Sequence, residues 1–110
     1  MFTIEGDGYE ISFVIEDLER ASRDATAVDF YVRVNGLQYV GTAFTVDIIS
    51  TIMARYRDTG ECSQGRFFWA SDLVILEDFR PETFRLAVSE LISTGDYRQA
   101  LSQIDGPEEN

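Results

Sequence analysis

VDFYVRVNGLQYVGTAF, residues 28–44, carries the clearest structural signal in the chain. Asn35 and Gly36 lie between two runs of alternating side chains, and both tolerate the positive φ of a type I′ turn. The sequence therefore predicts a β-hairpin with a two-residue loop. Such a loop fixes the register, so that Val34 pairs with Leu37 and Phe30 pairs with Gly41.

The predicted hairpin has one face for the core and one for solvent, because strand side chains alternate. The core face carries Val28, Phe30, Val32, Val34, Leu37, Tyr39, Gly41 and Ala43. On the second face Tyr31 and Val40 lie among polar and charged residues, so this face is mixed. The alternation is typical of an antiparallel sheet with one solvated side.

More strands are predicted before the hairpin. Residues 9–16, YEISFVIE, alternate in the same way and place Tyr9, Ile11, Phe13 and Ile15 on one side. Phe2 to Ile4 predicts a short additional strand. Residues 16–27 are polar and are expected to form a loop to the hairpin.

Helical periodicity follows the hairpin. A first helix is predicted after Thr45, which can cap it, and before Gly60, which can end it. Its apolar stripe is Ile48, Ile49, Ile52, Met53 and Tyr56. Residues 66–77 then predict a strand, either continuous or broken at Ser71-Asp72, in which the apolar run 73–76 is expected to be central and covered on both sides.

Two further helices are predicted towards the end of the chain. Pro81 suits the first turn of a second helix that ends at Gly95, and residues 96–104 predict a short third helix. The order β-β-β-α-β-α-α indicates an α+β fold, in which two main helices and a short C-terminal helix pack on one face of a largely antiparallel sheet of four to five strands. We expect residues 1–105 to form a single domain and residues 106–110 a frayed acidic tail.

The chain is strongly acidic. Its 110 residues carry 20 Asp and Glu against 9 Lys and Arg, a formal net charge of −11. This charge repels phosphate backbones and anionic membrane surfaces and favours basic partners. We therefore expect a basic protein partner, and neither nucleic acid nor a membrane. Solubility alone also explains the charge.

Few residue types suited to catalysis are present. The chain has no histidine, which excludes Ser-His-Asp and Cys-His arrangements and most zinc and haem sites. All its bases are arginine, so Schiff-base chemistry and the lysine of a phosphate-binding loop are excluded. Carboxylate pairs, such as Asp72 with Glu77 or Asp78, are still available for acid–base chemistry. We predict no catalytic residue, cofactor or metal. A carboxylate-dependent enzyme is the less favoured hypothesis.

The expected location is the cytoplasm. Cys62 is the single cysteine, and without an intramolecular disulfide the chain suits a reducing compartment. The sequence MFTIEGDGYEISF lacks the basic start and apolar run of a signal peptide. No segment approaches the roughly 18–20 apolar residues of a membrane span.

Three adjacent aromatic residues, Phe67, Phe68 and Trp69, form an unusual run. Base-stacking surfaces combine such rings with basic neighbours, whereas only Arg66 is close here, so nucleic-acid binding is not expected. In a strand Phe68 would point away from Phe67 and Trp69, so at least one side would enter the core. Core is the simpler interpretation for Trp69, and an exposed edge that anchors a protein partner is the alternative.

Acidic residues form two clusters in the sequence: Glu16, Asp17 and Glu19 in the predicted loop, and Glu77, Asp78 and Glu82 around the start of the second helix. The two clusters would form one negative surface if the fold brought them together. The candidate partner-binding residues are these acids and the nearby aromatic and acidic positions: Glu16, Asp17, Glu19, Tyr31, Trp69, Asp72, Glu77, Asp78 and Glu82. We hypothesise a non-enzymatic binding module that neutralises a basic protein, as inhibitors and bacterial toxin-immunity proteins do. The alternative is a small structural or homo-oligomerising domain, with a dimer contact across Tyr31 and Val40.

Overall fold

A computed structural model of the chain describes residues 2–14 and 17–104, so the predicted positions of Ile15, Glu16 and the 106–110 tail lie outside the described residues. The described residues contain six strands: β1 Phe2–Gly6, β2 Tyr9–Phe13, β3 Val28–Val34, β4 Leu37–Phe44, β5 Leu73–Ile75 and β6 Ser102–Ile104. They also contain five helices: α1 Leu18–Arg23, α2 Val46–Thr59, α3 Glu61–Gly65, α4 Pro81–Thr94 and α5 Tyr97–Ala100. The predicted α+β class is confirmed.

The strands form one largely antiparallel sheet in the order β1-β2-β3-β4-β5. Two short strands share the far edge of β4: β5 pairs in parallel with residues 42–44, and β6 pairs antiparallel with residues 38–40. A parallel neighbour needs a crossover connection, which α2 and α3 provide between β4 and β5.

The hairpin has the predicted register. Val34 pairs with Leu37 and Phe30 with Gly41, and the turn residues Asn35 and Gly36 have φ values of 54° and 76°. The predicted core face is buried except at Leu37, which is 44% exposed. Leu37 follows the turn directly, and its cross-strand partner Val34 is buried.

Helices α4 and α5 cover the core face of the sheet. Phe84 of α4 packs edge-to-face on Phe13 and Phe30, with ring centroids 4.9 and 5.6 Å apart. The hydroxyl of Tyr9 is 2.6 Å from the Ser89 hydroxyl of the same helix. Tyr97 of α5 meets Tyr39 edge-to-face at 5.1 Å. These contacts join the two ends of the chain in one aromatic core.

Helix α2 begins and ends at the predicted residues. The Thr45 side chain accepts a hydrogen bond from the backbone N–H of Ile48 at 3.2 Å, and Gly60 adopts a left-handed conformation after the last turn. Of the predicted apolar stripe, Ile48 is buried and the other members are half-buried. The helix is therefore only partly covered.

Three short elements were not predicted: α1, β6 and α3, in which residues 62–64 form a left-handed turn. Residues 18–23 form α1 rather than loop, because Asp17 caps the helix and Leu18 and Ala21 bury one side of it. At the other end, the third helix stops at Ala100, since residues 102–104 turn away to pair with β4 as β6. The sheet consequently has one strand more than the predicted maximum.

The predicted strand over residues 66–77 is broken at Ser71-Asp72, which form a turn as one of the two alternatives predicted, whereas the prediction that the run 73–76 is central and covered was wrong. Only Leu73–Ile75 is a strand, and it is the last in the sheet order. Leu73 and Ile75 are 36% and 50% exposed. A continuous apolar run suggested cover on both faces, whereas here half of the run is exposed at the sheet edge.

Across the described ranges 2–14 and 17–104, no helix has both the length and the hydrophobicity to cross a bilayer.

Candidate functional site

A cleft of about 350 Å³ lies where α1 meets β1 and the loop between β5 and α4. We call it the acidic cleft. Its apolar lining comes from Phe2, Leu18, Phe79 and Pro81, and its polar lining from Asp17, Glu19, Ser22, Asp78 and Arg80. The fold thus joins carboxylates that are far apart in the sequence.

The first carboxylates are held by the start of α1. Asp17 is the N-cap, and its Oδ1 accepts a hydrogen bond from the backbone N–H of Arg20 at 3.0 Å. Glu19 lies in the first turn. Both positions are favourable for negative charge, because the backbone N–H groups of a helix N-terminus are directed towards them. Local helix chemistry therefore fixes these acids at the cleft.

Asp78 comes from the loop before α4 and is held by a dense set of donors. Its Oδ1 accepts from the Thr83 hydroxyl at 2.6 Å and from the Arg80 backbone N–H at 3.0 Å. Its Oδ2 pairs with the Arg80 guanidinium, 3.2 Å away. The Thr83 hydroxyl is the main cause that lowers the pKa of Asp78, with the Arg80 N–H and charge adding to it. Asp78 is therefore a fixed anion at neutral pH.

The charges and the apolar lining together suit a cationic side chain. Arg80 is the cation among the lining residues and is already paired with Asp78, so Asp17 and Glu19 are left to face an incoming charge. Lysine and arginine have apolar stems that pack on surfaces such as the half-buried Phe2 and Pro81, while their charged heads reach acids at the rim. The cleft is suited to holding such a group.

The same geometry does not favour acid–base catalysis by Asp78. A general acid that works at neutral pH needs a carboxyl whose pKa is raised. The pKa of Asp78 is instead lowered by its hydrogen bonds. Its partner in the predicted carboxylate pair, Asp72, lies at the other end of β5, where its side chain binds Ser102 at 2.5 Å.

The structure joins three of the predicted acids in the cleft, namely Asp17, Glu19 and Asp78. Glu82 is exposed on the first turn of α4, directly after the lining residue Pro81. Glu77 is exposed just before Asp78, and Glu16 lies outside the described residues. The two acidic clusters meet because of α1, a helix that was not predicted.

The predicted aromatic positions lie elsewhere. Trp69 is 70% exposed, so the interpretation of it as a core residue was wrong. Residues 67–70 are irregular rather than a strand, and the only ring of the run that packs inward is Phe68, which meets Phe44 at 5.0 Å. Tyr31 is half-buried on the second face of the sheet, paired with Val40.

The apolar lining of the cleft was not predicted from the sequence. Leu18 had a weak signal, since it and Ala21 are three residues apart after a good N-cap residue. Phe2, Phe79 and Pro81 had none, because only the packing of β1 and of the β5–α4 loop places them beside α1.

Within residues 2–14 and 17–104, no group of three or more histidine, cysteine, aspartate or glutamate side chains is arranged to hold a metal ion. Comparison of the chain with protein-family models, with curated proteins and with solved structures found no match. Function is therefore inferred from the chemistry of the molecular surface.

Proposed function

We propose that the protein is a non-enzymatic binding module that captures a basic protein partner through the acidic cleft, as an inhibitor or immunity protein neutralises a toxin. The observation that carries the proposal is the placement of Asp17, Glu19 and Asp78 around the apolar lining of the acidic cleft. A basic side chain of the partner would enter the cleft, with its stem on the apolar lining and its charge at the rim.

The charge of the whole chain supports this proposal. A net charge of −11 attracts a basic protein over distances of about one Debye length, roughly 10 Å at 0.1 M salt. Such steering raises association rates by about 10- to 1,000-fold. It also disfavours the alternative of a homo-oligomer, because two copies repel each other. A cytoplasmic location, predicted from the lone cysteine, is part of the proposal.

The experiment compares three forms of the protein as affinity baits. The first is the wild type. The second, called the cleft variant, carries Asp17→Asn and Glu19→Gln in the lining and Glu82→Gln directly beside the lining residue Pro81. Asparagine at position 17 preserves the helix cap, since it is as good an N-cap residue as aspartate. The third is a charge-matched control with Asp47→Asn, Asp58→Asn and Glu90→Gln, exposed acids that do not line the cleft.

The partner is then purified and its dissociation constant is measured with each form. We expect a basic protein that binds the cleft variant at least about 10-fold more weakly than the wild type, a change of roughly 1.4 kcal/mol, and the control almost unchanged. Equal weakening by both variants would show nonspecific charge attraction and contradict the proposal. So would a partner that is acidic, or one that binds all three forms alike.

A further inference from the structure

The outer edge of β5 has free backbone groups. The Asp72 carbonyl accepts from the Thr42 N–H at 2.9 Å, and the Leu76 N–H donates to the Phe44 carbonyl at 2.7 Å. Backbone groups alternate in direction along a strand, so Val74 faces β4, whereas the N–H and C=O groups of Leu73 and Ile75 point away from it. Within the described part of the chain, these outward groups have no hydrogen-bond partner.

Apolar side chains accompany this edge. Leu73 and Ile75 are exposed, and so are Phe67 and Trp69 on the chain that leads into β5. A monomer usually protects an edge strand with short length, charge, a bulge or a covering element, and β5 is only 3 residues long. Here the strand itself carries apolar residues.

The opposite edge of the sheet is protected. The Arg85 side chain of α4 donates a hydrogen bond to the carbonyl of Glu5 in β1 at 3.0 Å, and Tyr9 of the neighbouring strand binds the Arg85 carbonyl. Helix α4 therefore covers β1, whereas the described residues supply no equivalent cover for β5.

We infer that a protein partner adds an extended, basic segment to the sheet along the outer edge of β5. The free N–H and C=O groups of Leu73 and Ile75 specify an extended backbone. The acids Asp72 and Glu77 flank the strand in the sequence, Glu77 is exposed, and the whole chain carries a net charge of −11. These charges favour arginine or lysine in the segment and disfavour a second copy of this acidic chain. The inference goes beyond the acidic cleft and does not depend on it.

The probe is a short, blocked peptide in which arginine alternates with valine. Hydrogen exchange of the full chain is followed at single amides with and without peptide at about 1 mM, a concentration at which a 10-fold slowing corresponds to a Kd of about 0.1 mM, or roughly −5.5 kcal/mol. We expect exchange at Leu73 and Ile75 to slow at least about 10-fold, with no such change at Glu5 in β1. One control peptide carries glutamate in place of arginine, and a second carries N-methyl groups on alternate amides. Neither control should slow exchange at Leu73 and Ile75.

Two variants of the protein complete the test. Ile75→Pro removes an outward N–H without affecting the pairing to β4, and proline is tolerated at such edge positions, so binding should be lost while circular dichroism is unchanged. If this variant does not fold, Trp69→Ala serves instead and should weaken binding about 10-fold. The cleft variant described above should bind the peptide within about 3-fold of the wild type, which separates this inference from the proposed function.

Several results would overturn the inference. Absence of protection at Leu73 and Ile75 would do so, as would equal binding of the N-methylated peptide. Protection that rises with protein concentration in the absence of peptide, together with a dimer in sedimentation, would show that a second copy occupies this edge instead.

Discussion

The ring of Phe30 lies on the bare backbone of Gly41, its direct partner across the β3–β4 pair. A Cβ atom added at Gly41 would be 2.6 Å from the Phe30 ring and 2.6 Å from the Leu101 side chain. This contact was predicted from the Asn-Gly turn, because a two-residue loop leaves one register for the hairpin. The glycine is therefore required by the packing of the core.

We expect Gly41→Ala to lower the free energy of unfolding by about 1–3 kcal/mol, since overpacking forces side chains from their preferred rotamers. Urea denaturation measures the change. The same substitution in a Phe30→Leu background should cost less, because the smaller side chain leaves room for the new methyl group. Equal costs in both backgrounds would show that Phe30 does not press on position 41.

Removal of a central ring should be more severe. Phe84→Ala and Phe30→Ala should each destabilise the protein by about 3–5 kcal/mol, as expected for large buried aromatic residues, and thermal or urea unfolding measures this. The control is Leu86→Ala, on the same helix as Phe84 but 72% exposed, which should stay within about 0.5 kcal/mol of the wild type. A loss near zero for Phe30→Ala would mean that the inward face of the hairpin is misassigned.

The short element α3, which follows α2, is a left-handed turn. Cys62, Ser63 and Gln64 have φ values of 49°, 54° and 63°, a conformation that costs a residue with a side chain roughly 1–2 kcal/mol. Because glycine has no Cβ, we expect Ser63→Gly to stabilise the protein by up to about 1 kcal/mol. The matched control is Ser50→Gly, in the regular helix α2, which should destabilise by a few tenths of a kcal/mol. Destabilisation by Ser63→Gly would contradict the described turn.

In acidic solution, the free energy of unfolding should depend on pH through the ionisation of Asp78. Its pKa is lowered in the folded state, chiefly by the Thr83 hydroxyl, so the ionised carboxylate stabilises the fold. This stabilisation is complete above the ordinary aspartate pKa of about 3.9 and is lost as the pH falls through the lower folded value. We expect Asp78→Asn to be less stable than the wild type at pH 7, with the difference shrinking below about pH 4 in urea titrations at each pH. A difference that does not change with pH would exclude this linkage.

Local signals in the sequence were sufficient for the hairpin and both long helices. Asn35-Gly36 fixed one register, and Thr45, Gly60 and Pro81 marked helix ends by mechanisms that act within one turn. The position of the apolar run 73–76 in the sheet could not be predicted. A central strand and an edge strand can have the same apolar composition, and they differ only in whether a neighbouring strand or solvent lies beside them. Residues 102–104 became a strand through pairing with distant β4, which overrides local helix preference.

The candidate site was predicted only in part. The acids at Asp17, Glu19 and Asp78 were named from charge clustering, but their meeting depends on α1 and on packing between chain segments about 60 residues apart. The exposure of Trp69 was also a tertiary property, because it depends on the irregular path before β5.

The most direct measurement for the proposed function is the association rate constant of the purified basic partner, obtained by stopped flow at low and high salt. The charge-reversal variant carries Glu19→Arg in the cleft lining and Glu82→Arg directly beside it, while Asp17 keeps its capping role. The matched control is Asp58→Arg with Glu90→Arg. We predict that the charge-reversal variant associates at least about 10-fold more slowly than the control at low salt, and that the difference disappears near 1 M salt, where the Debye length is about 3 Å. Equal association rates of the two variants at low salt would contradict the account.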